Sequence, residues 1–273
     1  MKKILILLII IFVISFIQYQ YVNSEDDEYY KNRIKDLLIE MELVENTENI
    51  LKIDKKILLS KSIKFVSNFI NKNQSYSAEF GFNKKDKTIV SFSSDYEFLK
   101  EKTKVKDSLV SLSKYILSTL RNDFKLFLDQ IEFIEENNYF SIVLMKNING
   151  FQVLYGKRVE ITLVDKGRIV SLNIFDDEMK INKPTMIKRE LAFEKIKRNL
   201  LEKNDIDDFQ FEDKYKEYTE FFYMDISRPI FLKVNDIINE YRLYWVFPAF
   251  FKDNKKEIKI FLYDIEKGII LEY

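Results

Sequence analysis

Apolar residues change their spacing several times along the chain, and each change marks an element. Tyr30, Ile34, Leu37, Leu38 and Met41 recur at helical spacing, which predicts an amphipathic helix. A second helical pattern covers residues 57–70. Strand-like runs at 76–82 and 88–92 then flank the turn Asn83-Lys-Lys-Asp86. Val105, Leu109, Leu112, Ile116 and Leu120 step by four, three, four and four, which is one face of a long helix continuing toward Leu128. From Tyr139 the period falls to two, with strands expected at 139–145, 152–155, 159–164 and 168–175. Asn149-Gly150 and Gly156 punctuate them. Pro184-Thr185 opens another helix, with Ala192, Ile196 and Leu200 along one face. Strands return at 220–224, 241–247, 257–263 and 269–273.

Two stretches share one design. Residues 161–172 and 258–271 each run from a β-rich segment through a turn carrying Asp and Gly into a second β-branched segment. The turns are Asp165-Lys166-Gly167 and Asp264 to Gly268. Glycine there supplies a positive φ at no steric cost, so each stretch is expected to be a hairpin. With one helix before each hairpin, the pattern gives an α+β fold. Residues 25–100 form an N-terminal α+β segment, followed by units at 101–183 and 184–273.

The first 24 residues stand apart. Lys2 and Lys3 precede an apolar run over 4–17 broken only by Ser15, and Glu25, Asp26, Asp27 and Glu28 follow. Positive charge before and negative charge after orients the segment with the body across the membrane. The 14 residues span only ~21 Å, short for a ~30 Å hydrocarbon core, and Val22-Asn23-Ser24 is a tolerable cleavage site. Counted through Val22, the span reaches ~28 Å, with Tyr19 and Tyr21 as interfacial anchors. The residues fit a retained membrane anchor and a cleaved signal equally. Both imply export.

Composition narrows the chemistry. Lys plus Arg and Asp plus Glu are 44 each, so the basic footprint of a nucleic-acid-binding protein is absent. The sequence has no Cys and no His, which removes disulfides, thiolate catalysis, the commonest general base and the commonest transition-metal ligand. The five glycines form neither a phosphate-binding loop nor a dinucleotide fingerprint, and no nucleophile motif occurs. Asp176/Asp177 and Asp207/Asp208 are the conspicuous carboxylate pairs of the body. Paired carboxylates serve glycoside hydrolysis, but adjacent ones usually point apart, and Asp at element ends ordinarily solvates turns. The expectation is a protein with no catalytic, cofactor-binding or metal-binding residues.

One strand is unusual for its two faces. Over 241–251, alternation puts Tyr241, Leu243, Trp245 and Phe247 on one side and Tyr244 and Val246 on the other, with Phe250 and Phe251 beyond Pro248. Burial on both faces, one under the helix before it, is the plain reading. The alternative makes Tyr244, Val246, Phe250 and Phe251 a partner surface, because aromatic residues are enriched at interface hot spots.

With these pieces placed, residues 105–273 resemble the YycH/YycI type of two-component regulatory protein, YycI above all, within the wider PepSY-like group. Asn149-Gly-Phe-Gln-Val-Leu-Tyr-Gly156 is similar to the family's NG-x-P-V-F motif, and the strand at 159–163 with its Asp-Lys-Gly turn follows it. Residues 189–196 resemble the family's helix start, Leu243-Tyr-Trp-Val246 its P-A-W-x-V strand, and residues 264–270 its closing hairpin. The first motif lacks its Pro, and Leu243-Tyr244 replaces Pro-Ala before Trp245. The resemblance implies two PepSY/cystatin-like units, each a helix on an antiparallel sheet, behind an N-terminal transmembrane helix. It also implies a non-enzymatic protein on the outer face of the cytoplasmic membrane. Its partners would be a sensor histidine kinase and a sister YycH-type protein, with no nucleic acid. The alternative it allows is a secreted, propeptide-like inhibitor or binding module acting on a peptidase after cleavage near Ser24.

Overall fold

The computed structural model describes residues 26–56, 61–182, 185–203, 209–211, 218–219, 222–223, 228–235, 239–251 and 258–272. The chain forms two compact units. The first comprises residues up to 122 together with 164–171, and the second comprises 123–163 and 172–273.

In the first unit, helix α1 (residues 26–40) is followed by strands β1 (Ile50–Lys56), β2 (Ser62–Asn71), β3 (Gln74–Asn83) and β4 (Ile89–Ser94), then helix α2 (Lys106–Leu120). The antiparallel strands lie side by side in that order, with β8 (Arg168–Phe175) next to β4. Ile63, Phe65, Ser67 and Phe69 alternate inward along β2. Tyr30 of α1 meets Phe65 and Phe82 with ring centroids 5.5 and 4.9 Å apart. Tyr30, Ile34, Leu37, Leu38 and Met41 are all buried, as the helical spacing requires. Asp26 and Asp27, from the acidic run after the apolar segment, pair with Lys87 and Lys55 at 2.6 and 2.8 Å.

The second unit carries strands β5 (Gln130–Glu136), β6 (Tyr139–Met145) and β7 (Arg158–Val164), ordered β8-β7-β6-β5. After β9 (Lys180–Ile181) comes helix α3 (Arg189–Glu202). Then follow β10 (Phe209–Phe211), β11 (Tyr218–Thr219), β12 (Phe222–Tyr223), β13 (Ile230–Asn235), β14 (Glu240–Phe251), β15 (Ile258–Asp264) and β16 (Ile270–Glu272). Strands β9, β10 and β13–β16 form a six-stranded sheet around β14, while β11 and β12 pair with each other. One face of β14 packs Tyr241, Leu243, Trp245 and Phe247 against Ala192, Ile196 and Leu200 of α3. The other packs Tyr244 and Val246 with Leu262 against Val143 and Met145 of β6.

The expected α+β class is therefore corrected: the described body is mostly β, built on large antiparallel sheets with three α-helices. Two physical reasons account for it. Residues 62–70, part of the 57–70 stretch assigned to a helix by spacing, lie in β2, because Ile63, Phe65 and Phe69 also fit a period of two and pair with β3. In addition, the second face of β14 is covered by a strand's side chains rather than by solvent or a helix. No helix among the described residues is long and apolar enough to cross a membrane, and the segment at 1–24 lies outside those residues. Both Asp-Gly turns are hairpin turns: Lys166 and Gly167 have φ 57 and 71°, and Gly268 has φ 68°.

Candidate functional site

The carboxyl end of β6 leads into a loop that crosses the second unit. Asn149 (φ 52°) and Gly150 (φ 80°) turn the chain, and Ile148 and Phe151 exchange two backbone hydrogen bonds of 2.9 Å across the turn. The next residues lie alongside β13: Phe231 N–H donates to the Gln152 carbonyl at 2.9 Å, and Leu154 N–H donates to the Phe231 carbonyl at 3.0 Å. The path then bends sharply at Tyr155, whose φ of 56° is a region bulky residues rarely occupy. The Tyr241 hydroxyl holds this bend by donating to the Tyr155 carbonyl at 2.8 Å. Gly156 follows because a Cβ there would lie 2.5 Å from Val153 Cγ1 and 3.1 Å from Met179 Sδ.

This bend walls a recess of about 200 Å³ lined by Tyr155, Gly156, Arg158, Phe175, Asp177, Met179, Lys233, Asn239 and Tyr241. Arg158 opens β7 and is buried. Its Nε donates to Glu160 Oε1 at 2.6 Å, and its Nη1 donates to the Gly156 carbonyl at 3.2 Å. Its guanidinium lies 3.9 Å from the Phe175 ring centroid and 5.6 Å from that of Tyr155. Tyr155 itself is 51% exposed at the rim. Asn239, also on the lining, is a second non-glycine residue at positive φ (49°). At a residue as bulky as Tyr155 such a backbone costs about 1–3 kcal/mol, whereas asparagine tolerates it.

The aromatic strand is placed differently. Tyr244 is 2% exposed and Val246 1%, inside the cluster with Val143, Met145, Leu154, Ile230 and Leu262. They are core. Phe250 is half-buried, and the Phe251 backbone pairs with Phe209. Beside Tyr244, Arg242 donates to Glu240 Oε1 at 2.8 Å and approaches Asp264 Oδ2 at 3.8 Å. Asp264 is fully buried, and its Oδ1 accepts from the Glu266 and Lys267 amides, which closes the hairpin turn. Burial, and then the neighbouring Asp264 carboxylate, push the Tyr244 phenol up to about 12.

Of the carboxylate pairs, Asp177 is exposed on the recess lining and Asp176 precedes it, while Asp207/Asp208 lie outside the described residues. Among the described residues no three acidic side chains gather to hold a metal ion. The recess combines a fixed guanidinium, aromatic walls and a strained rim, which suits recognition of a bound group.

No protein-family model and no curated protein matches the chain. Among solved structures, it is similar to the Bacillus megaterium YpeB C-terminal domain, with 12% identity over 90% of this chain and 96% of that one, at a TM-score of 0.49.

Proposed function

We propose that this is an exported, non-enzymatic regulatory protein that acts by binding another protein outside the cytosol. The observation that carries the reading is the recess at Tyr155 and Arg158. Its backbone strain and buried, ring-stacked cation are maintained in a chain that has no His or Cys for catalysis. The apolar run over 4–17, with Lys2 and Lys3 before it, supports export. The resemblance to YycH/YycI-type proteins supports a membrane sensor histidine kinase as the partner and the N-terminal segment as a retained tether.

A photo-crosslinking residue placed at Tyr155 in the native organism, with mass spectrometry of what it captures, tests the reading. Capture of a membrane kinase is expected, and capture of a co-secreted peptidase would replace the kinase by the propeptide-like alternative. Intact mass of the cell-associated product tests the tether: a chain released into the medium and starting near Glu25 removes it. Turnover of a peptidoglycan or peptide substrate by the purified chain would overturn the non-enzymatic reading altogether.

A further inference from the structure

We infer that the end of the first unit from which α1 begins is a docking surface for an anionic membrane, through Lys61, Lys84 and Lys85. This rests on the reading of the N-terminal segment as a retained tether, and it names the face that the tether presents to lipid. Chain length sets the first limit. The apolar run ends at Ile17, or at Val22 on the longer count, so Asp26 follows nine or four positions later. Fully extended, those positions reach at most about 32 or 14 Å.

No slack follows Asp26. It accepts from Lys87 Nζ at 2.6 Å, and Asp27 accepts from Lys55 Nζ at 2.8 Å. The first turn of α1 is thereby pinned to the turn between β3 and β4 and to the end of β1. Lys87 Nζ also lies 4.8 Å from the Tyr29 ring centroid. The β3–β4 turn is itself fixed: Asn83 Oδ1 accepts from the Lys85 amide and Asp86 Oδ1 from the Thr88 amide, both at 2.9 Å. The Lys84 amide donates to the Lys61 carbonyl at 3.0 Å, which sets the start of β2 beside that turn.

Charge decides what this end can face. Lys61, Lys84 and Lys85 are exposed, and among the described residues no carboxylate pairs with any of them. The neighbouring acids are engaged: Asp26 and Asp27 by Lys87 and Lys55, and Asp86 by Thr88. Glu28 is exposed on α1, with Lys31 one turn further along the helix. The uncompensated charge is therefore positive, and it lies within a short reach of the apolar run. A layer of anionic headgroups closer than a Debye length, about 8–10 Å, meets both features. Each lysine held near such a layer is worth about a fivefold gain in contact. An acidic protein surface would account for the lysines but not for their place beside the tether.

The full chain has no cysteine of its own, so single fluorophores can be placed at Lys85→Cys and, at the far end of β3, at Ser75→Cys. Eight positions of β3 separate Ser75 from Asn83, about 27 Å. Each labelled chain is reconstituted in vesicles carrying a headgroup quencher, made of phosphatidylcholine alone or mixed with phosphatidylglycerol. Quenching at position 85 that requires phosphatidylglycerol, fades in high salt and is weak at position 75 is expected. Lys61→Gln combined with Lys84→Gln should lower the docking equilibrium roughly 25-fold, with thermal unfolding unchanged because both side chains are exposed. Equal quenching at the two positions, or quenching indifferent to phosphatidylglycerol or to the lysines, overturns the surface. Flotation in high salt reads the tether separately: a chain that leaves the vesicles there removes the tether reading. The released chain should then still float with phosphatidylglycerol vesicles in low salt, and its failure to do so overturns the lysine surface as well.

Discussion

Gly150 and Gly167 both sit at positive φ, at 80 and 71°, but their surroundings differ. A Cβ on Gly150 would meet nothing within 4 Å, whereas one on Gly167 would lie 2.5 Å from Leu112 Cδ2 and 3.0 Å from Leu99 Cγ. Gly150→Ala should therefore cost about 1 kcal/mol, the backbone penalty alone. Gly167→Ala should add about 1–3 kcal/mol of overpacking, and equal losses in denaturant unfolding would refute the distinction. Tyr244 gives a pH prediction. Its phenol keeps its proton in the folded chain to about 12, against the ordinary tyrosine value of 10.0 in the unfolded chain. The associated stability is complete below pH 10 and is lost as pH rises through 12. Across that window Tyr244→Phe should lose about 2 kcal/mol less stability than the parent, by the worth of a two-unit shift. Parallel pH–stability curves would contradict this assignment.

At the scale of elements, the same physics tells buried faces from exposed ones. Ile196 on α3 is fully buried against the β14 face, while Leu191 on the same helix is 57% exposed. Ile196→Ala should cost about 2–5 kcal/mol, and Leu191→Ala about 0.5 kcal/mol or less, measured by chemical denaturation. A costly Leu191→Ala would show that this exposed residue is buried by a partner. Several elements were legible because their spacing admits one solution: α2 through its four-three-four-four ladder, and β6 and β8, which match the expected 139–145 and 168–175. Strand β2 was not, since Phe65 and Phe69, four residues apart, satisfy both a helical and a strand period until β3 supplies a hydrogen-bonding edge. Strand β5 was also missed, although Asn137 and Asn138, at φ 49 and 68°, form a two-residue turn to β6 that their sequence favours. Strand β14 runs through Pro248, where a break was expected. Among the described strands, Pro248 falls in a gap on one edge, after β13 pairs as far as Tyr244 and before β10 pairs from Ala249.

At the scale of the molecule, the course of the chain between its units matters most. Residues 164–171 return to the first unit, where the Leu99 N–H donates to the Lys166 carbonyl at 2.9 Å and Lys166 pairs with Glu97 at 2.8 Å. A fragment covering 26–122 should therefore unfold over a broader denaturant range than the whole chain. A peptide of residues 164–171 should sharpen its transition. A fragment that unfolds steeply without the peptide would show that the returning strand is dispensable. The recess belongs to this scale as well. Tyr155, Arg158, Phe175, Lys233 and Tyr241 are spread over 87 positions and come from a loop, β7, β8, β13 and β14.

The sequence by itself determined the α1 face, the two Asp-Gly hairpins, the two-sided apolar pattern of β14 and the lack of His and Cys. These depend on local spacing, on the φ preference of glycine and on composition. Tertiary structure alone decided that the second face of β14 is core, that residues 62–71 are strand, and that Tyr155 takes a strained bend beside a buried Arg158. Those outcomes depend on which distant segment supplies the hydrogen bonds and the covering side chains, information that no local pattern holds.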